Sequence, residues 1–199
     1  MRTWFRRSST LAGLALAGTV AAAAPAAAQQ QTEAGFLAGA SFTTLMDVES
    51  DVSVRSSTGF AGGFYVAVPV ASQLRVEPEL MYINKGAGLE DVDLNLNLNY
   101  IEIPVLLRYQ FTDNDGPFAF IGPYVGFNVK CGTAVDTVSV SCKDQSVQAN
   151  TTFGGTVGVG FQRGVWGFDI RYDYGFTDAI KDEKGKNSAL MILLRAALN

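Results

Sequence analysis

The sequence contains no histidine among its 199 residues. Ser-His-Asp hydrolytic triads and the usual ligand sets of catalytic zinc need histidine, so its absence excludes those sites. The glycine-rich segment 154–160 does not match a phosphate-binding loop. Asp169 and Asp173 lie about 13 Å apart on an extended strand, which is too far for a shared-proton pair. We therefore predict that the chain is not an enzyme and has no cofactor or metal.

The sequence also lacks a long apolar run. Beyond the N-terminal region, no segment approaches the about 18 uninterrupted apolar residues that indicate a transmembrane helix. Residues 1–28 have instead the pattern of a cleaved signal peptide: Arg2, Arg6 and Arg7 precede a short apolar run over 11–20, and small residues follow at 24–28. We predict export through this signal peptide and one mature domain over residues 29–199.

Cysteine and basic residues are both scarce. The two cysteines, Cys131 and Cys142, fit an oxidising compartment and have only each other as an intrachain partner, which predicts a structural disulfide. A redox or metal pair is the alternative, although the close C-x-x-C spacing is absent. Loss of residues 1–28 removes three of the 15 basic residues and none of the 19 acidic ones, so the formal charge falls from −4 to −7. We therefore expect no nucleic-acid partner.

The abundant feature is an alternation of apolar and polar residues with a period of two, which indicates β-strands. The pattern is clearest over residues 73–111. Most strands of soluble proteins have about 5–6 residues, whereas about 9–11 residues cross a bilayer. The segments in this sequence are long enough to cross a bilayer. Eight of them follow residue 28: 33–43, 59–69, 72–85, 97–111, 117–130, 151–163, 165–176 and 188–198.

The connections between these segments alternate in length. Long connections cover 44–58, 86–96, 131–150 and 177–187, and short ones cover 70–71, 112–116 and 164. This alternation is typical of outer-membrane barrels. We predict an all-β fold, an eight-stranded antiparallel up-and-down transmembrane β-barrel with short periplasmic turns and long extracellular loops. The last segment also suits a helix by propensity, but closure of a barrel in lipid requires a strand.

Apolar side chains are predicted to face lipid, with aromatic residues in two interfacial girdles. The alternation changes phase near residues 99–101, which predicts a β-bulge. On this assignment Val105→Arg is costly, whereas a change at Gly116, in a turn, is mild. The girdle predicted near the long loops comprises Phe42, Phe60, Tyr82, Tyr100, Phe127, Phe153, Tyr174 and Phe176, and the girdle near the short turns comprises Tyr109, Phe111, Phe118, Phe161, Trp166 and Phe168.

The opposite face of the strands carries charges that a barrel of this size would enclose. An eight-stranded barrel is filled by its own side chains, so these charges must pair or be hydrated. They form either a structural salt-bridge network or, on the alternative interpretation, a gated polar path that opens by rearrangement. The predicted interior set is Arg75, Glu77, Glu79, Glu102, Arg108, Asp169, Arg171, Asp173 and Arg195.

Four segments together resemble the PorT-like outer-membrane β-barrel family, which is often labelled as porin-family protein. They are residues 74–86 (LRVEPELMYINKG), 99–109 (NYIEIPVLLRY), 120–126 (FIGPYVG) and 169–177 (DIRYDYGFT). The similarity covers roughly residues 33–198. It implies an eight-stranded barrel in the outer membrane of a Gram-negative-type cell, and one branch of the family serves a secretion pathway. It implies no catalytic residues.

These observations lead to three functional hypotheses. The first is a non-enzymatic integral outer-membrane barrel that acts as an envelope scaffold or surface-interaction protein through its outer loops. The second is a small-solute or ion porin. The third is a soluble periplasmic lipocalin-like binder with its apolar face inside. For the first we expect a monomer whose partners are outer-membrane lipid and other envelope or secretion proteins.

Overall fold

A computed structural model of the chain describes residues 31–46, 54–89, 94–112, 115–135, 138–141, 151–178 and 186–198. Nine β-strands account for nearly all of these residues. In chain order they are β1 (Glu33–Met46), β2 (Val54–Ala71), β3 (Leu74–Leu89), β4 (Leu94–Gln110), β5 (Gly116–Val135), β6 (Val138–Ser141), β7 (Thr152–Arg163), β8 (Trp166–Asp178) and β9 (Lys186–Ala197). No helix in these ranges has the length and apolarity needed to cross a membrane.

Eight of the strands close into a single antiparallel barrel. The sheet order is β4-β3-β2-β1-β9-β8-β7-β5, and pairing of β4 with β5 completes the ring. The last strand pairs with the first from Gly35 opposite Ala197 to Met46 opposite Lys186. The ninth strand, β6, is short and pairs only with the far end of β5. The predicted eight-stranded antiparallel barrel is therefore confirmed, and the final segment is a strand.

Several strands are longer than the sequence pattern indicated. Strand β5 has 20 residues and β2 has 18. At about 3.3 Å per residue and a tilt of about 45°, the 20-residue strand β5 rises about 47 Å along the barrel axis. The apolar band of an outer-membrane barrel is only about 25 Å tall. The β4–β5 hairpin pairs over its full length, as far as Leu94 opposite Val135. A short turn joins β4 and β5 at one end of the barrel. At the opposite end, where the long loops are, the two paired strands therefore extend well beyond the apolar band.

The short turns are tied to one another. The Asp115 carboxylate accepts a hydrogen bond of 2.9 Å from the Gly164 backbone N–H, which links the β4–β5 turn to the β7–β8 turn. Gly164 has a φ of +57° and Gly116 has a φ of +135°. Both angles lie where side chains other than glycine are strained. The expectation that a change at Gly116 is mild is therefore wrong.

The barrel is apolar outside and polar inside. Strand β7 alternates strictly between these two environments over most of its length. Phe60 is 54% exposed and Ile121 is 62% exposed, whereas charged side chains of β3, β4, β8 and β9 are buried. A lipocalin-like protein has the reverse arrangement, with apolar residues lining its cavity. The hypothesis of a soluble binder with an apolar interior is therefore wrong for this chain.

Two aromatic residues assigned to the girdles lie inside the barrel. Tyr100 and Phe118 are both buried, at 0% and 1% exposure. The structure has a register shift where the bulge is predicted: Asn99 lies opposite Lys130, but Tyr100 lies opposite Asn128, so the extra residue is on β5. Alternation on β4 itself continues without a break, because Leu98, Tyr100 and Glu102 are all buried. Tyr100 therefore faces inward with Glu102. Phe118 lies on the inner face of β5, where it packs against arginine side chains.

Candidate functional site

The candidate site is the charged interior of the barrel, which alternation along the strands positions. On β3 and β8 the odd-numbered residues point inward, and β3 and β8 lie opposite each other in the ring of eight strands. Charges from these two strands can therefore meet only across the lumen. Two groups of side chains result, which we call the arginine layer and the lysine layer. The arginine layer comprises Glu77, Glu79, Arg108, Asp169, Arg171 and Arg195, and the lysine layer comprises Lys85, Glu102 and Asp173.

Arg171 spans the lumen within the arginine layer. Its guanidinium donates two hydrogen bonds to Glu79 on the opposite wall, at 2.5 and 3.2 Å. It also donates two hydrogen bonds to Asp169, at 2.8 and 3.0 Å. Arg171 is only 1% exposed. Bidentate arginine–carboxylate bonds are the strongest kind of side-chain pair, so this residue is a fixed bar across the barrel.

The remaining members continue the same chain of alternating charge. Arg195 donates to Asp169 at 3.2 Å and to Glu77 at 2.8 Å. Arg108 donates to the other oxygen of Glu77 at 3.1 Å and to Gln110 at 3.1 Å. The layer therefore contains three guanidinium groups and three carboxylates, each in contact with the next. Its formal charge is zero, which is what burial of ionised groups requires.

Aromatic rings cover the guanidinium groups. The centre of the Arg108 guanidinium lies 3.9 Å from the centroid of Phe118, and that of Arg195 lies 5.3 Å from the same ring. Arg171 lies 4.9 Å from Phe120. Cation–π contacts of this kind stabilise buried guanidinium groups. They explain why Phe118 faces inward although its position near a short turn suggested a girdle residue.

Glycines of β7 make room for these rings. A Cβ atom at Gly158 would lie 2.4 Å from the Phe120 ring, and one at Gly160 would lie 2.3 Å from the Phe118 ring. The glycine-rich segment is therefore part of a strand and provides space for aromatic rings inside the barrel.

Glu33 joins a second set of charges to the short-turn end of the arginine layer. The Tyr65 hydroxyl donates to it at 2.7 Å, and Arg75 pairs with it at 3.4 Å. Arg108 lies 3.8 Å away. Arg75 keeps 14% of its side chain exposed, so it lines the mouth of the barrel. Sequence reasoning missed Glu33 because it is the first residue of β1, where alternation has barely begun.

The lysine layer lies nearer the long loops. The Lys85 ammonium is 2.7 Å from Glu102 and 3.9 Å from Asp173. The Thr156 hydroxyl donates to Asp173 at 2.7 Å. All three charged side chains are at most 2% exposed. Sequence reasoning missed Lys85, although it has the same odd-numbered parity as Glu77 and Glu79 on β3.

Two tyrosine rings flank the Lys85 ammonium. Its Nζ lies 5.0 Å from the centroid of Tyr124 and 5.9 Å from that of Tyr100. The Tyr100 hydroxyl accepts a hydrogen bond of 3.4 Å from Asn187 on β9. The position of Tyr100 inside the barrel therefore places it in the lysine layer.

The structure puts all nine predicted charges on the inner face of the barrel, with Arg75 at its mouth. It brings eight of them into the two layers and adds Lys85 to the set. The predicted disulfide falls outside the described residues at Cys142, and the side chain of Cys131 is not described. In the part of the chain that the structure describes, no group of three or more Cys, Asp or Glu side chains is arranged so that it could hold a metal ion.

Comparisons with known proteins agree with this geometry. The family model for the outer membrane protein beta-barrel domain matches residues 27–181. The solved structure of Ail, the attachment invasion locus protein of Yersinia pestis, covers 85% of this chain and 100% of its own at 13% identity and a TM-score of 0.53. Neisserial surface protein A covers 84% and 99% at 12% identity, also with a TM-score of 0.53. No curated protein matches the sequence. At these identities, the similarity to the two structures shows the fold alone.

Proposed function

Because the chain belongs to the outer membrane protein beta-barrel domain family, we propose that it is a non-enzymatic envelope scaffold or surface-interaction protein that acts through its outer end. The single observation that carries this proposal is the arginine layer. A protein that conducts solutes needs a continuous path, whereas this lumen is crossed by paired, buried side chains.

The arginine layer is a poor gate because its pairs depend on one another. Glu77 is shared by Arg108 and Arg195, and Asp169 is shared by Arg195 and Arg171. Movement of Arg171 therefore leaves the buried Glu79 carboxylate without its arginine, which costs several kcal/mol. Movement of Arg108 or Arg195 takes one of two partners from each carboxylate that it contacts. A filled interior is also what an eight-stranded barrel of this width provides. We infer that the lumen supports the wall and is not the site of action.

The outer end offers the larger surface for contacts. The β4–β5 hairpin extends beyond the apolar band, and β6 adds a third strand to its far end. These strands are hydrogen-bonded to their neighbours, so they form a stiff support for the loops that they carry. Ail was solved with the heparin analogue sucrose octasulfate. Our chain has 19 acidic and 15 basic residues, so we propose that its own partners are not polyanions.

Planar-bilayer recording tests the proposal. The purified wild-type barrel is expected to give no stepwise conductance, because the arginine layer closes the lumen. The double variant Arg171→Met with Glu79→Gln removes the cross-lumen bar and keeps the layer neutral, so it should admit small ions. Lys130→Met, at an exposed position, is the matched control and should behave as wild type. Stepwise conductance of the wild type would contradict the proposal.

A small-solute or ion porin is the second candidate, and the polar interior favours it. On that hypothesis the wild type conducts, and substitution of Glu102 or Arg108 changes the conductance or its ion selectivity. If neither the wild type nor the Glu102 and Arg108 variants conduct ions, the pore hypothesis is excluded.

Three further assignments are proposals supported by sequence. We propose that the chain belongs to the PorT-like branch, on the four motif segments and their order. We propose that residues 1–28 are removed after export and that 29–199 form the mature barrel. We also propose that Cys131 and Cys142 form a disulfide, which non-reducing mass spectrometry of the mature chain tests directly.

A further inference from the structure

The lysine layer contains one more negative than positive charge. The arginine layer is neutral, and Glu33 pairs with Arg75 at the mouth. The lysine layer has the Lys85 ammonium against two carboxyl groups, Glu102 and Asp173. Of the interior charges that the structure describes, this is the only unbalanced group. An unbalanced charge is costly in a buried site, so something must neutralise it.

The two carboxyl groups share one cation. The Lys85 ammonium lies 2.7 Å from Glu102 and 3.9 Å from Asp173, although the strands of the two acidic residues are not neighbours in the barrel. Two ionised carboxylates have only acceptor atoms, so they cannot bond to each other without a proton. Thr156 already occupies one oxygen of Asp173, and Lys85 is closer to Glu102 than to Asp173. Both oxygens of Glu102 are buried without a hydrogen-bond partner, so this carboxyl group has room for a proton.

Among the residues that the structure describes, the other strands bring no buried compensating charge to this level. The two tyrosines, on β4 and β5, contribute rings that flank Lys85. The remaining described residues facing this part of the lumen are neutral: Ser41 and Thr43 on β1, Ala61 on β2, Thr152 and Thr156 on β7, and Asn187 on β9. A bound metal ion would need further oxygen ligands, and the described residues provide no suitable cluster. A proton needs only one of the carboxyl oxygens that are present.

We propose that Glu102 and Asp173 form a proton-binding pair, in which one of the two carboxyl groups holds a proton and the lysine layer is thereby balanced. Release of this proton leaves two carboxylates against one ammonium. The resulting repulsion loosens the outer half of the lumen while the neutral arginine layer keeps the inner half closed. The barrel therefore has a proton-sensitive outer half and an insensitive inner half. This inference does not depend on the surface role proposed above.

Infrared spectroscopy of the refolded barrel in lipid vesicles tests the proposal, because a protonated carboxyl group and a carboxylate absorb in separate bands. The wild type is expected to show a protonated-carboxyl band at neutral pH that disappears in alkali. Glu102→Gln and Asp173→Asn should each abolish it, since Lys85 then balances the one remaining carboxylate. Glu79→Gln, an equally conservative change in the arginine layer, should keep it. Absence of the band from the wild type, or its persistence in both lysine-layer variants, would overturn the proposal.

Heat-modifiable gel mobility gives a second, independent readout. Glu102→Gln removes the excess charge, so its unfolding temperature should equal or exceed that of the wild type and should not fall in alkali. Glu79→Gln unbalances a neutral layer, so its unfolding temperature should be lower. If the two variants are equally destabilised, the charge argument is wrong. If neither variant refolds, the pH titration of the wild-type band still decides the question.

Discussion

Replacement of Arg171 by methionine should strongly destabilise the barrel. The substitution keeps an unbranched side chain beside Phe120 but removes four hydrogen bonds to two carboxylates. Asp169 keeps its bond to Arg195. Glu79 loses its ion-pair partner, so an uncompensated charge stays buried.

The size of the expected destabilisation follows from this unpaired Glu79 carboxylate. Removal of one partner of a buried ion pair costs about 3–5 kcal/mol, which is roughly a hundredfold or more in the folding equilibrium. Addition of Glu79→Gln removes the unpaired charge and leaves two guanidinium groups against two carboxylates. We therefore expect the double variant to be more stable than Arg171→Met alone, with a coupling energy of about 1–3 kcal/mol.

Urea titration of the barrel in lipid vesicles measures both quantities. Trp166 is the only tryptophan in residues 29–199 and lies 65% exposed on the outer face of the barrel. Its fluorescence therefore reports transfer from lipid to water on unfolding. The reasoning is refuted if Arg171→Met costs less than about 1 kcal/mol, below the range for a buried pair. It is also refuted if the effects of the two substitutions simply add.

Four other substitutions test the wall and the turns by the same titration. Val105→Arg places a charge in the middle of the lipid-facing surface and should lower the free energy of unfolding by about 2–4 kcal/mol. Val165→Arg, beside a short turn, is its control and should lower it by about 0–1 kcal/mol. Equal costs would contradict the lipid-facing assignment. Gly158→Ala brings a methyl group against the Phe120 ring and should cost about 1–3 kcal/mol by overpacking. Gly116→Ala forces alanine to a φ of +135° and should cost about 1–3 kcal/mol; a cost near zero would show that the turn relaxes.

The strands and their faces were predictable because a wall between lipid and a polar interior imposes a period of two. Charged residues such as Glu77 and Arg171 mark the inner face without ambiguity. The ends of the strands were not predictable. Beyond the membrane a hairpin can continue through backbone hydrogen bonds alone, without alternation of side chains. Strand β6, within a segment that the sequence indicated as a loop, is held in this way.

The charged residues of the interior were predictable from the sequence, whereas its aromatic residues were not. Phe118 and Tyr100 look like girdle residues in the sequence, because an aromatic ring suits both a bilayer interface and the face of a cation. Only the three-dimensional position of Arg108 and Lys85 distinguishes the two roles. Lys85 itself was missed near the end of its predicted segment, since β3 continues inward-facing alternation beyond the aromatic girdle.

The pairing of β1 with β9 constrains the order of events during biogenesis. The two strands are the first and the last of the barrel, so an emerging chain exposes an unpaired strand edge until β9 arrives. Arg195 lies on β9 and bridges Glu77 and Asp169. Before β9 docks, these acidic groups have one cationic neighbour fewer than in the finished barrel. Electrostatic neutrality of the arginine layer and removal of the last free edge are thus reached in the same late step of assembly.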